Sequence, residues 1–237
     1  MNEIWILLVL IITAALPVII VFFWFRRRTP AQKPPLTLPW FLISLAAGIA
    51  SLLAAALIHR LFERASLFPP LNRSGPAGPA LIFFDVFIRI ALVEEASRLV
   101  TLIPLFKARA RRLSMDRSFG AALGFVAGLG FATLESALYG IADINITLLR
   151  AFTAAPLHGA CGIRAGAAVS MIRQHPVKAL FLFLSAVFIH GAYNLMILIP
   201  ALPSALAIPT AFIAFFASLP LAKTTGINEE KISTHTP

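Results

Sequence analysis

The stretch SFGAALGFVAGLGFATLESALYG, residues 118–140, runs 23 residues with a single charged side chain, Glu135. An α-helix needs about 20 mostly apolar residues to cross the hydrocarbon of a bilayer, so this stretch reads as a transmembrane helix. Within it, Gly120-x3-Gly124-x3-Gly128 sets small residues four apart on one face, and Gly162-x3-Gly166 repeats the pattern further on. Small residues at that spacing let two helix backbones approach with no lipid between them. The pattern therefore predicts a tight helix pair that draws Glu135 into the protein interior.

Working outward, the same length rule marks seven apolar spans: roughly 4–25, 39–58, 80–106, 118–140, 144–170, 178–199 and 203–222. Composition agrees. The chain is 59% hydrophobic and only 13% charged, which a soluble domain, nearer half apolar and a quarter charged, does not match. The fold class expected is an all-α, polytopic transmembrane bundle, with one domain over 1–222 (core motifs in 80–200) and a polar tail at 223–237. A net charge of +10 would suggest nucleic acid in a soluble protein, but here the cations cluster between apolar runs, where they act as topology signals. Arg26, Arg27, Arg28 and Lys33 follow the first span, and Lys107, Arg109, Arg111, Arg112 and Arg117 separate the third from the fourth. Arg173 and Lys178 part the fifth from the sixth, and Lys223 follows the last. Positive-inside places these in the cytoplasm, with the N-terminus outside and the C-terminus cytoplasmic; Arg60, Arg64 and Arg73 count against it and are fewer. The first span opens Met-Asn-Glu with no basic leader and ends on three arginines, the pattern of a retained helix rather than a signal peptide.

Four spans carry ionisable groups near their middle: Glu94 and Glu95, Glu135, His158, and His190. Such groups are expensive at bilayer depth unless they face a polar interior, a partner or a site. In the third span, Asp85 and Arg89 are i,i+4 neighbours and read as a structural ion pair. At 100° per residue Glu94 falls roughly opposite that pair, and Arg98 lies between Glu94 and Glu95, able to neutralise one and leave the other free. His158 follows the helix-kinking Pro156. Arg150 reads as an interfacial anchor or a substrate contact, and Cys161 as a small apolar filler; as the sole cysteine it also excludes an intramolecular disulfide. His190 and Asn194 share a helix face, so both can point at one reacting atom. His59, His175 and His235 receive no role.

Together these groups suit activation of a water by Glu94 with His158, while His190 and Asn194 steady a developing oxyanion. They suit equally a divalent metal such as zinc held by Glu94, Glu135, His158 and His190, with the water on the metal. No short zinc signature is present to decide between the two versions.

The ordered set Glu94-Glu95-x-x-Arg98, Gly128-Leu-Gly-Phe-Ala-x-x-Glu135, Arg150-x7-His158 and His190-x3-Asn194 resembles the PrsW family of membrane-embedded proteases, a family similar to the CAAX prenyl and bacteriocin-processing proteases. It covers roughly residues 80–200. The resemblance implies hydrolysis of peptide bonds in membrane-anchored protein substrates, with the archetype making the first cut in an anti-sigma factor. It also implies a place in the bilayer of a bacterial cytoplasmic membrane. By matching positions, Glu94 and Glu95 are the first-motif acids, Glu135 the second-motif acid, and His158 and His190 the histidines. Asn194 is the last polar partner. Three departures stand out: Arg98 replaces the usual Lys, Ser136 the usual Asn, and Asn194 is Asp in some relatives. The competing expectations are a proton-coupled transporter, for which inverted repeats and paired broken helices are missing from the sequence, and a relative that binds membrane segments without cutting them.

Overall fold

A computed structural model describes residues 3–28, 36–65, 78–110, 117–141, 144–198 and 204–222, and among these every regular element is helical. The order is α1 (Glu3–Arg28), α2 (Leu38–Arg64), α3 (Pro79–Phe84), a wide-turned segment (Asp85–Leu92), α4 (Val93–Ala110), α5 (Arg117–Gly140), α6 (Ile144–Met171), α7 (Pro176–Leu198), a short 3₁₀ turn (Ser204–Leu206) and α8 (Ala207–Ala222). The seven apolar stretches of the sequence fall within seven helical runs, since α3, the wide segment and α4 are continuous. Among the described residues, α2, α5 and α7 are long and apolar enough to cross a membrane, and α8 is apolar but shorter. Much of the basic pattern behind the expected orientation, including Lys33, Arg73, Arg111, Arg112 and Lys223, lies outside the described residues. So do residues 66–77 of the proline-rich loop and the tail at 223–237. Pro39, Pro79 and Pro176 stand in the first turn of their helices, where the missing N–H has no intrahelical partner to lose.

α5 is the axis of the bundle. Every residue from Ser118 to Ala132 is buried, and the helix packs on α6, α2, α1, α8 and α4. A helix apolar on all sides belongs in a core, and α5 is one. The glycine pattern acts as expected: a side chain on Gly124 would run into the Gly162 carbonyl, and one on Gly128 into the His158 carbonyl. The second of these contacts sets the backbone of α6 against α5 at the level of a site residue.

The regular phase count through the third span fails. Asp85 to Leu92 winds with i→i+5 bonds, a geometry that turns fewer degrees per residue than an α-helix and recurs at functional sites. The Asp85–Arg89 ion pair forms as expected, at 2.5 Å. With fewer degrees per residue over these eight positions, Glu94 falls nearer to Asp85 than the roughly opposite position a constant 100° turn gives, and both are buried, at 8% and 6% exposure. The wide segment also packs on α7, with Phe87 and Phe188 ring centres 5.9 Å apart. That contact holds α4's first turn beside the helix that carries His190.

Candidate active site

Glu94 and Glu95 sit in the first turn of α4, with Arg98 one turn on; Glu135 is near the end of α5; His158 is mid-α6; His190 is on α7. Folding brings all six together. Glu95, Arg98, His158 and His190 are each no more than 1% exposed.

Arg98 is the hub. Its Nη1 donates to Glu95 Oε2, its Nη2 lies 3.2 Å from His158 Nδ1, and its guanidinium stands 4.6 Å from the ring centre of Phe131. Arginine has no acceptor atoms, so His158 Nδ1 must accept. The proton of a neutral His158 then resides on Nε2, which donates to Glu135 Oε2 at 2.8 Å. Arg150 pairs with the same Glu135 oxygen at 2.5 Å and lies 4.3 Å from the ring centre of Tyr139. Arg150, expected as an interfacial anchor or a substrate contact, is thus a partner for Glu135. Glu135 and Arg150, with side chains 14% exposed, form the less buried edge of the cluster.

His190 is held differently. Its Nδ1 lies 2.8 Å from Glu95 Oε1, and a carboxylate already paired with Arg98 accepts there, so Nδ1 carries the proton. Nε2 then turns its lone pair toward Glu94 Oε2, 3.5 Å away. That oxygen is buried and has no hydrogen-bond partner among the described residues. Two acceptors face each other at van der Waals separation. A buried acceptor left this way is costly, and a shared water or cation satisfies both atoms at once.

The structure pairs the expected residues in its own way. Glu94 faces His190 rather than His158, because Arg98 and Glu135 occupy both nitrogens of His158. Asn194 lies one turn beyond His190, half-buried, and makes no hydrogen bond to the cluster among the described residues. Cys161 is fully buried, with its thiol 3.6 Å from the Ala186 carbonyl, which fits a filler. Phe131 was not legible as a site residue. Its signal in the sequence is its place in the Gly128-Leu-Gly-Phe-Ala motif, four residues before Glu135, and its ring lies 4.8 Å from that of His158.

The donor set bears on a metal. Donor atoms of Glu95, His158 and His190 lie within 4.8 Å of one another, yet Arg98 holds two of these three side chains, and a cation there would meet a guanidinium. Glu94 with His190 fits better: an unpartnered carboxylate oxygen and an imidazole Nε2 whose other nitrogen is fixed by Glu95, the carboxylate–histidine arrangement that orients metal ligands. Glu135, expected as a further ligand, does not stand with Glu94 and His190 among the described donors that lie within 4.8 Å of one another. His158, with Nε2 protonated, has no lone pair to give.

Carboxylates and imidazoles converge from four helices of an apolar bundle, the residue types that acid–base or metal chemistry uses. A family model described as PrsW family intramembrane metalloprotease matches residues 34–221. That is most of the chain, and the protein belongs to this family. It is accordingly an integral membrane protein and a hydrolase of the intramembrane protease class. Searches of curated proteins and of solved structures return no match.

Proposed function

We propose that this protein is a seven-span endopeptidase that hydrolyses membrane-anchored protein substrates with a water activated by Glu94 and His190. The observation that carries this reading is the 3.5 Å separation of Glu94 Oε2, buried and without a hydrogen-bond partner, and His190 Nε2. A water seated beside this pair, within reach of both atoms, gives up a proton to Glu94 as it attacks the scissile carbonyl while His190 Nε2 accepts a hydrogen bond from its other hydrogen. Glu94 then passes that proton to the amide nitrogen as the C–N bond breaks. Glu95 keeps the His190 ring in the tautomer this needs. His158 spends its one N–H on Glu135 Oε2 and His190 spends its own on Glu95 Oε1, so neither imidazole has a free donor for the developing oxyanion; Asn194, expected as a donor, would supply one by turning inward on substrate binding. When a divalent metal is bound, Glu94 and His190 are the residues that would hold it, and it would acidify the water and polarise the carbonyl.

The less buried Glu135–Arg150 edge supports entry of water at the end of α5, which the positive-inside pattern makes the extracytoplasmic side. Cleavage on that side of an anti-sigma factor would follow the archetype. A groove of about 270 Å³ lies on the other flank, lined by residues including Ala54 and Ile58 of α2 and Val93 and Ser97 of α4. It is apolar and does not supply that water.

The test is cleavage of single-pass reporter proteins in liposomes by the wild type, Glu94→Gln and His190→Ala. Both variants should insert normally and lose activity by about 10²–10⁴-fold, the range for a removed general base. Wild-type turnover by both would sink the assignment. Bound zinc measured on the purified wild type and Glu94→Gln, with chelation and zinc add-back, decides between the metal and metal-free versions.

A further inference from the structure

We propose that Arg164 forms a binding site for the phosphate of an anionic phospholipid, at the junction of α6, α7 and α8 and apart from the Glu/His cluster. Arg164 is half-buried on α6. Its Nε donates to Ser218 Oγ of α8 at 3.0 Å, and its Nη1 to Ser185 Oγ of α7 at 2.8 Å. Both serine hydroxyls donate onward to backbone carbonyls one turn back, Ser218 to Ala214 and Ser185 to Leu182, each at 2.7 Å. Their lone pairs are thereby turned toward the guanidinium, which is held between three helices instead of being free to swing.

No carboxylate pairs with Arg164 among the described residues. Three other buried or half-buried arginines each have an acid: Arg89 has Asp85, Arg98 has Glu95, and Arg150 has Glu135; Arg117, half-buried at the start of α5, has none among the described residues and lies at the helix end. An arginine stays charged, and an intramembrane charge without a partner marks a functional site by default. Nε and one side of Nη1 are used. What remains is the Nη1–Nη2 edge, the paired-donor fork that matches two phosphate oxygens; Nη2 has no partner and is not among the buried orphan atoms.

Depth selects the ligand. Arg164 is seven residues before the end of α6 at Met171, about 10 Å along the axis. A 28-residue helix of about 42 Å overhangs a hydrocarbon core of about 30 Å by roughly 6 Å at each end. The Arg164 backbone therefore lies about 4 Å inside the hydrocarbon boundary, within side-chain reach of the headgroup phosphates. At the same end, Arg173, His175 and Lys178 are exposed in the α6–α7 turn and the first turn of α7. They add a diffuse positive rim above a fixed fork, the arrangement by which basic pockets between membrane helices take anionic headgroups.

The test uses the full chain purified in a neutral detergent and titrated with phosphatidylglycerol or phosphatidylcholine, reading retained lipid by native mass spectrometry and thermal stability in parallel. The wild type should retain phosphatidylglycerol in preference to phosphatidylcholine, and Arg164→Gln should lose about fivefold of that preference. Ser185→Ala with Ser218→Ala keeps the charge but frees the guanidinium, and should weaken the preference too; this pair serves if Arg164→Gln fails to fold. An unchanged preference in whichever of these variants folds would overturn the site. So would inorganic phosphate that stabilises the wild type as well as phosphatidylglycerol does, which would mark a site for free anions.

Discussion

Replacing Arg98 with Met keeps most of the side-chain length and removes the charge at the centre of the cluster. Three contacts go at once: the pair with Glu95, the hydrogen bond to His158 Nδ1 at 3.2 Å, and the cation–π contact with Phe131 at 4.6 Å. Glu95 is 0% exposed, so the carboxylate cannot recover solvation and keeps only the His190 bond. Breaking one side of a buried pair in this way costs about 3–5 kcal/mol. The orphaned His158 nitrogen and the lost ring contact fall within the same figure, since they share the cause and do not add independently. Glu95→Gln alone strands Arg98 and should cost about as much. The double variant Glu95→Gln with Arg98→Met removes both charges and leaves no ion uncompensated. It should therefore lie near either single variant, not at the sum of about 6–10 kcal/mol that independent effects would give. Reversible unfolding in mixed micelles, followed by far-UV circular dichroism, measures all three. A cycle that closes additively to within about 0.5 kcal/mol would refute the hub role given to Arg98.

Gly128→Ala adds one methyl against the His158 carbonyl, closer than the 3.0 Å that real Cβ atoms keep. The α5–α6 contact has to open, so we expect a loss of about 1–3 kcal/mol in the same unfolding assay and a fall in reporter cleavage as His158 leaves Glu135; Gly78→Ala, with nothing within 4 Å, is the control. Cys161 is 0% exposed, so maleimide should neither label nor inhibit the folded protein, and labelling before unfolding would contradict that burial.

Much of the site was legible in the sequence because each motif lies within one helix, where spacing is geometry. The Asp85–Arg89 pair, the Arg98–Glu95 clamp and the close approach of the glycine-bearing α5 and α6 all follow from neighbours three or four residues apart. What failed was the assumption of a constant turn. The i→i+5 segment from Asp85 to Leu92 has no signature in residue type, and it undid the count that set Glu94 opposite Asp85. Arg150's partner was hidden for another reason: Glu135 is 15 residues away across a helix–helix turn, and no periodicity spans such a gap. Arg164 belongs to no motif, and the two serines that hold it come from other helices, 21 and 54 residues away in the chain.

By itself, then, the sequence determined that the chain is an apolar helical bundle and that carboxylates and imidazoles sit at interior depth, because hydrophobic length and the cost of buried charge are properties of each segment alone. Only the tertiary structure decided who faces whom. Six ionisable side chains from four helices can pair in several ways, and the choice depends on helix rotation and sub-ångström approach, to which sequence spacing is blind. The structure gave Glu95 and His158 to Arg98 and Glu135 to His158 and Arg150, and left Glu94 facing the Nε2 of His190.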